Sequence, residues 1–196
     1  MKGFFLTQST ASSLLVSKRV GLGIGMKMAM VLMLSVASCW VSAASLKVGD
    51  KAPNFKLQAT NGEFYQLSDY LGKQTVVLAW YPMANTKVCT QECRSLVQKG
   101  DLIRAYNAVY MMASVDPLED NQDFAKKESV DFPMLSDPTK ATAKAYDVLN
   151  FLGVASRETF YIGKDGTILK IDDDINANTA AEDIADHLNV LGIAKR

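Results

Sequence analysis

Two cysteines stand close together in the stretch YPMANTKVCTQECRSL, at Cys89 and Cys93, with Pro82 and Thr86 just ahead of them. Neighbouring thiols offer three chemistries: metal ligation, a structural cross-link, or a reactive thiolate with a partner. Structural zinc takes four ligands. Apart from Cys39 near the chain start, the remaining Cys or His is His187, far along the chain, so no metal is expected. His187 reads as an ordinary surface or half-buried helix residue. A bridge between residues so near in sequence closes too small a loop to constrain the unfolded chain, which argues against a purely structural disulfide. The reactive thiol fits better. Cys89 falls where the loop after an apolar run turns into a helix, and free N–H groups at a helix start favour an anion such as a thiolate.

The elements that must position these thiols follow from periodicity. QTVVLAW, Gln74 to Trp80, is a continuous apolar run and reads as a strand buried on both faces. Helical spacing runs from Thr90 to about Ala105, with Leu96, Val97, Leu102 and Ile103 among its apolar positions. VYMMASV, Val109 to Val115, is a second buried strand, and Asp116-Pro117 then starts a helix through Phe124 to about Glu128. A short helix covers Ala141 to Tyr146, and Phe64 to Leu67 is a short strand after the turn Asn61-Gly62. Thr159 to Ile162 and Ile168 to Ile171 flank Gly163-Lys164-Asp165-Gly166 as a hairpin. Thr179-x-x-Glu182 is a capping box opening a last helix with Ile184, Leu188 and Leu191 on one face. Alternating strands and helices, closed by a hairpin and a helix, predict an α/β sandwich: a mixed central β-sheet flanked by helices, compatible with a thioredoxin-like fold. In such sheets ligands bind at the carboxyl ends of strands, where Cys89 falls.

These residues carry a resemblance. Pro82-x-x-x-Thr86-x-x-Cys89 matches the PxxxTxxC signature of peroxiredoxins, and Cys89-Thr90-Gln91-Glu92 resembles the CTxE helix start of their PrxQ, or bacterioferritin-comigratory, branch. The likeness runs collinearly from about Leu46 to Leu191, through KVGDKAPNFKLQATNGEFYQLSDYLGKQTVVLAWYP, ASVDPLEDNQDFAKKESVDFPMLSDPTKATAKAYDV and SRETFYIGKDGTILKI. It implies a thiol peroxidase without cofactor. Cys89 would be the peroxidatic thiolate and become a sulfenic acid. Thr86, the Cys89 N–H and Arg157 would donate to the leaving oxygen, and Pro82 would shape the pocket. Glu92 either holds Arg157 in place or is a solvated helix carboxylate. The partners implied are a peroxide substrate, hydrogen peroxide or an organic hydroperoxide, and a thioredoxin-like reductant.

Two positions depart from the branch. Lys87-Val88 replace a common Pro-Gly, adding a positive charge beside Cys89, and Arg94 stands where a helix resolving cysteine usually lies, with Cys93 one residue earlier. Residues four apart on a helix have Cβ atoms about 5–6 Å apart, whereas a disulfide wants about 3.5–4.5 Å. An intact helix would not close the bond, so the first turn must unwind. The expectation is an intramolecular Cys89–Cys93 disulfide; the alternatives are an external thiol, an intermolecular bond, or Cys93 as a core residue. Two other functions compete: a thiol–disulfide oxidoreductase, which would normally show Cys-x-x-Cys, and a redox sensor without turnover.

The 196-residue chain accommodates one such domain plus an extra segment. Residues 1–44 hold no Asp or Glu but carry Lys2, Lys18, Arg19 and Lys27, then the apolar run MAMVLMLSVA and the small residues of SCWVSAAS. This describes a secretory signal peptide cut after Ala44, too short in its apolar part for a confident membrane span. The stretch from Met26 is complete by itself, making Met26 an alternative start. A rival reading takes VASC as a lipoprotein box, which would anchor Cys39 to a membrane. Residues 45–196 would form the exported, periplasmic domain, a monomer or weak dimer. Four of the 21 Lys and Arg lie before Ser45, leaving 17 against 21 acidic residues and a net charge of about −4, with no basic stripe for nucleic acid.

Overall fold

The computed structural model describes residues 45–196; the expected signal peptide, the alternative start at Met26 and the lipidation candidate Cys39 lie outside the described residues. The strands are β1 (Lys56–Ala59), β2 (Phe64–Gln66), β3 (Thr75–Trp80), β4 (Ala108–Ser114), β5 (Met134–Ser136), β6 (Glu158–Ile162) and β7 (Ile168–Asp172). The helices are α1 (Lys87–Arg104), α2 (Leu118–Glu128), α3 (Ala141–Ala145) and α4 (Ala180–Val190). The strands form one mixed sheet in the order β2-β1-β5-β4-β3-β6-β7. Strands β5, β4 and β3 run parallel through the crossovers α1 and α2, while β6 joins β3 antiparallel. This is the α/β, thioredoxin-like fold expected.

The unbroken apolar runs arise because helices cover both faces of the sheet. In β3, Val77 and Ala79, followed by Tyr81, face a core built with Leu96 and Ile103 of α1, Phe124 of α2 and Leu188 of α4. Val76, Leu78 and Trp80 face the other core, with Met111, Tyr146, Phe160 and Ile162. Burying one such side chain contributes about 1.5–3 kcal/mol, so a strand apolar on both faces is committed to the sheet centre.

Several local expectations need correction. β1 and β5 were not anticipated, because strands of four and three residues carry too little alternation to read. Helix α1 begins at Lys87 rather than Thr90, which puts Cys89 inside its first turn. Leu102 faces solvent at 45% exposure, although it shares helical spacing with buried Ile103. The capping box at Thr179 does not form: the Thr179 hydroxyl donates to Asp183 Oδ2 at 2.7 Å, and Glu182 pairs instead with Lys99 of α1. The pairing across to α1 takes the carboxylate that a box would need. His187 is half-buried, with Nδ1 2.9 Å from the Tyr161 hydroxyl and 3.5 Å from Asp172.

Candidate active site

The site begins where β3 leaves the sheet. Tyr81 is fully buried and still pairs with β4, its N–H donating to the Ala113 carbonyl at 2.9 Å. Its hydroxyl donates to Asn121 Oδ1 at 2.6 Å, and Asn121 Nδ2 donates to Ser114 Oγ at 3.0 Å. Burial pushes the Tyr81 phenol above its usual range, so it remains a neutral donor. The turn that follows is pinned by the Ala84 N–H, which donates to Asp116 Oδ2 at 2.8 Å. Asn85 takes a left-handed conformation, φ +60°, which Asn adopts more readily than most residues. Pro82 is half-buried at the head of this turn and has no N–H to satisfy.

Thr86 occupies the N-cap of α1 with an extended backbone, yet makes no capping bond. Its hydroxyl donates to the Met83 carbonyl at 3.0 Å. The donor role expected of this hydroxyl is therefore already engaged, and the Thr86 oxygen is left as an acceptor. Cys89, third residue of the helix and 1% exposed, lies among the N–H groups of the first turn, which have no acceptor within the helix. The first helical bond comes after it, from Thr90 N–H to the Thr86 carbonyl at 2.9 Å.

Arg157 arrives from the segment just before β6 and closes the site. Its Nη2 donates to Cys89 Sγ at 3.1 Å. Its Nη1 pairs with Glu92 Oε2, one turn further along α1. Glu92 is 1% exposed and the Arg157 side chain 17%, so this is a buried ion pair and the solvated-carboxylate reading of Glu92 is corrected. One guanidinium thus bridges the sulfur and a fixed carboxylate, and a fork of this kind has a set direction.

Cys93, one turn further along α1, is fully buried in the same core cluster as Cys89, with Phe124 of α2 and Leu188 of α4, and both thiols are free. Burial first, then the Glu128 carboxylate, pushes the Cys93 thiol up to about 12. At pH 8 the thiol then stays protonated. A brief treatment of the reduced, folded protein with iodoacetamide at pH 8 is accordingly expected to leave Cys93 unmodified, and denaturant to expose it; peptide mapping reads the outcome, and rapid modification in the folded state would contradict it.

Arg94 donates through Nε to Glu128 Oε2 at 2.6 Å and through Nη2 to Oε1 at 3.2 Å. Sequence reasoning missed Asp116 and Glu128. Asp116 stands at the carboxyl end of a buried strand next to the one that delivers Cys89, and that placement was the available signal. Glu128 gave none, since its partner lies 34 residues away.

Comparison with known proteins identifies the family. The AhpC/TSA family matches residues 48–171. The chain belongs to the AhpC/TSA family. Peroxiredoxin Bcp of Bacillus subtilis is 32% identical over 134 residues, spanning 64% of this chain and 84% of that one. Alkyl hydroperoxide reductase E of Mycobacterium tuberculosis is 32% identical over 126 residues, spanning 63% and 82%. Among solved structures, peroxidoxin BcpB of Mycobacterium tuberculosis superposes with a TM-score of 0.68 at 28% identity, over 74% of this chain and 97% of that one. A mutant of Xylella fastidiosa PrxQ gives 0.66 at 25% identity, over 76% and 99%. The protein is a peroxiredoxin of the PrxQ branch and a thiol-dependent peroxidase. The peroxiredoxin's family match includes both ends of the site, the turn at Pro82 and the arginine before β6.

Proposed function

We propose that Cys89 is the peroxidatic cysteine, acting on hydrogen peroxide and organic hydroperoxides, and that Cys93 resolves it. The observation that carries this reading is the Arg157 guanidinium 3.1 Å from Cys89 Sγ, itself held by buried Glu92. A cation there supplies the countercharge to a thiolate and a donor to the charge that develops on the departing oxygen. The sulfur attacks one peroxide oxygen. An S–O bond forms, the O–O bond breaks, and the second oxygen leaves as hydroxide or alkoxide and takes up a proton. Thr86 can accept the O–H of the incoming peroxide, and Pro82 keeps a rigid, donor-free wall beside the sulfur. Cys89 is left as a sulfenic acid.

Resolution requires the first turns of α1 to open. Opening brings Cys93 out of the core, where its thiol is inert, and returns it to the ordinary range in which a thiolate forms. Its attack on the sulfenic sulfur forms the disulfide and releases water. A thioredoxin-like dithiol then reduces the bond. The basic, apolar and small-residue order of residues 1–44 supports export, so this reductant would be an exported one, acting on a monomer or weak dimer.

The test is one equivalent of hydrogen peroxide on the reduced protein, followed by intact mass and peptide mapping. Loss of two hydrogens, with Cys89 linked to Cys93, is the expected result. One added oxygen on Cys89 alone would keep the peroxidatic cysteine and transfer resolution to an outside thiol. No reaction within minutes would remove the peroxidatic role.

A further inference from the structure

Helix α1 is tied down unevenly along its length. From Ser95 onward it is fastened to α4: Ser95 Oγ accepts from the Ala181 N–H at 3.1 Å, and Lys99 pairs with Glu182. At its start Lys87 and Val88 are exposed, and the turn that follows is held by Arg157, which contacts Cys89 and pairs with Glu92 and must let go before α1 opens. Arg94 stands at the boundary between the two regions, immediately after Cys93. Its guanidinium grips the last residue of α2 at two points, 2.6 Å and 3.2 Å. The Glu128 side chain is only 12% exposed, and α2 ends there because Ser129 turns left-handed, φ +55°. A two-point contact between a guanidinium and a sheltered carboxylate resists rotation as well as separation.

We propose that the Arg94–Glu128 pair is a latch that limits how far α1 unwinds, and so sets the rate at which Cys93 reaches oxidised Cys89. The inference rests on the resolving role proposed above for Cys93. In the closed helix the two Cβ atoms stand about 5–6 Å apart, too far for a disulfide at about 3.5–4.5 Å. Unwinding the first turn moves Cys89, but Cys93 becomes reactive only when opening also brings it out of the core, and there it meets the latch at the next residue. Arg94 cannot turn with an unwinding backbone while both of its bonds to another helix hold. Once Cys93 is free, its thiolate attacks the sulfenic sulfur of Cys89. The S–S bond forms, the S–O bond breaks, and the departing hydroxide takes the proton that Cys93 released, leaving as water. No further oxidant enters. Until then the sulfenic acid stays open to a second peroxide and to irreversible oxidation, so the latch also sets how easily the enzyme is inactivated.

A purely electrostatic role for Arg94 has the opposite sign. Its charge favours the Cys93 thiolate whereas Glu128 disfavours it, so loss of Arg94 by charge alone would slow resolution. Arg94→Lys separates the two accounts, because it keeps the charge and loses the fork. The protein as expressed is reduced, mixed with one equivalent of hydrogen peroxide, quenched rapidly with N-ethylmaleimide, and mapped for the linked Cys89–Cys93 peptide over time. The expected result is bond formation about two- to fivefold faster in Arg94→Lys and in Arg94→Ala than in wild type, with peroxide consumption in the first step unchanged. Glu128→Gln should accelerate by a similar factor and add little on top of Arg94→Lys, since both break one contact. If an Arg94 variant folds poorly, Glu128→Asp serves instead, because it keeps the charge near Cys93 and shortens the reach to Arg94, whereas Glu128→Gln would also accelerate by charge alone. Unchanged or slower bond formation in Arg94→Lys overturns the latch while leaving Cys93 as the resolving residue. Absence of the Cys89–Cys93 bond in wild type overturns the resolving role, and the latch with it.

Discussion

Replacing Cys89 with Ser is expected to reduce peroxide turnover to the uncatalysed background, a loss of at least about a thousandfold. The reason is chemical: a serine hydroxyl near neutral pH is neither ionised nor polarisable enough to attack a peroxide oxygen, whereas a thiolate is both. The change is nearly isosteric at a position 1% exposed, inside the first turn of α1, so the fold should survive it. Consumption of hydrogen peroxide with a dithiol reductant, measured beside a thermal melt, gives both quantities. Cys93→Ser makes the informative contrast. It keeps Cys89, Arg157 and Glu92, so its first oxidation should proceed at the wild-type rate and only disulfide formation should vanish. A Cys89→Ser protein that kept a tenth of the activity would shift the peroxidatic role to another group.

Arg157→Ala should damage the enzyme in two separable ways. It deletes the donor 3.1 Å from the reactive sulfur. Loss of one fixed donor aimed at developing charge typically costs about a hundred- to a thousandfold in rate. It also strands Glu92, a carboxylate 1% exposed with the guanidinium as its ion-pair partner. Breaking a buried pair from one side costs about 3–5 kcal/mol, because the remaining charge is left without water or partner. The double variant Arg157→Met with Glu92→Leu separates the two effects. Removing both charges should restore most of the stability, since a buried pair contributes little against apolar side chains of similar size. Activity should stay low, because the donor is still missing. Denaturant midpoints and kcat/KM of the two variants decide it. A double variant that regained activity along with stability would reduce Arg157 to a structural residue.

The site was legible in the sequence to an uneven degree. Pro82, Thr86 and Cys89 lie within one turn and the helix start that follows it; Cys89 is legible from that place alone, Pro82 and Thr86 only through the resemblance carried by PxxxTxxC. Arg157 lies 68 residues from Cys89, and without the resemblance carried by SRETF it would read as one more polar residue beside a strand. Glu92 could be read either as a partner for Arg157 or as a solvated carboxylate. Spacing places it a turn beyond Cys89, but whether that face of α1 meets solvent depends on what packs against it.

The sequence by itself determined the sheet's central strands, because side chains apolar on both faces of a strand have no stable place except between two layers. It determined the placement of Cys89 as well, since a loop that leaves such a strand for a helix arises from local signals within a dozen residues. The tertiary structure decided the rest. It showed that α1 starts at Lys87, that the Thr86 hydroxyl is engaged by Met83, that Glu92 is buried against Arg157, and that Cys93 sits in the core. The last two depend on groups far apart in the chain meeting in space, while the Met83–Thr86 bond is local but sits in a turn pinned by Asp116, 32 residues from Ala84. Burial and charge pairing are properties of the assembled surface, which periodicity within one helix cannot specify.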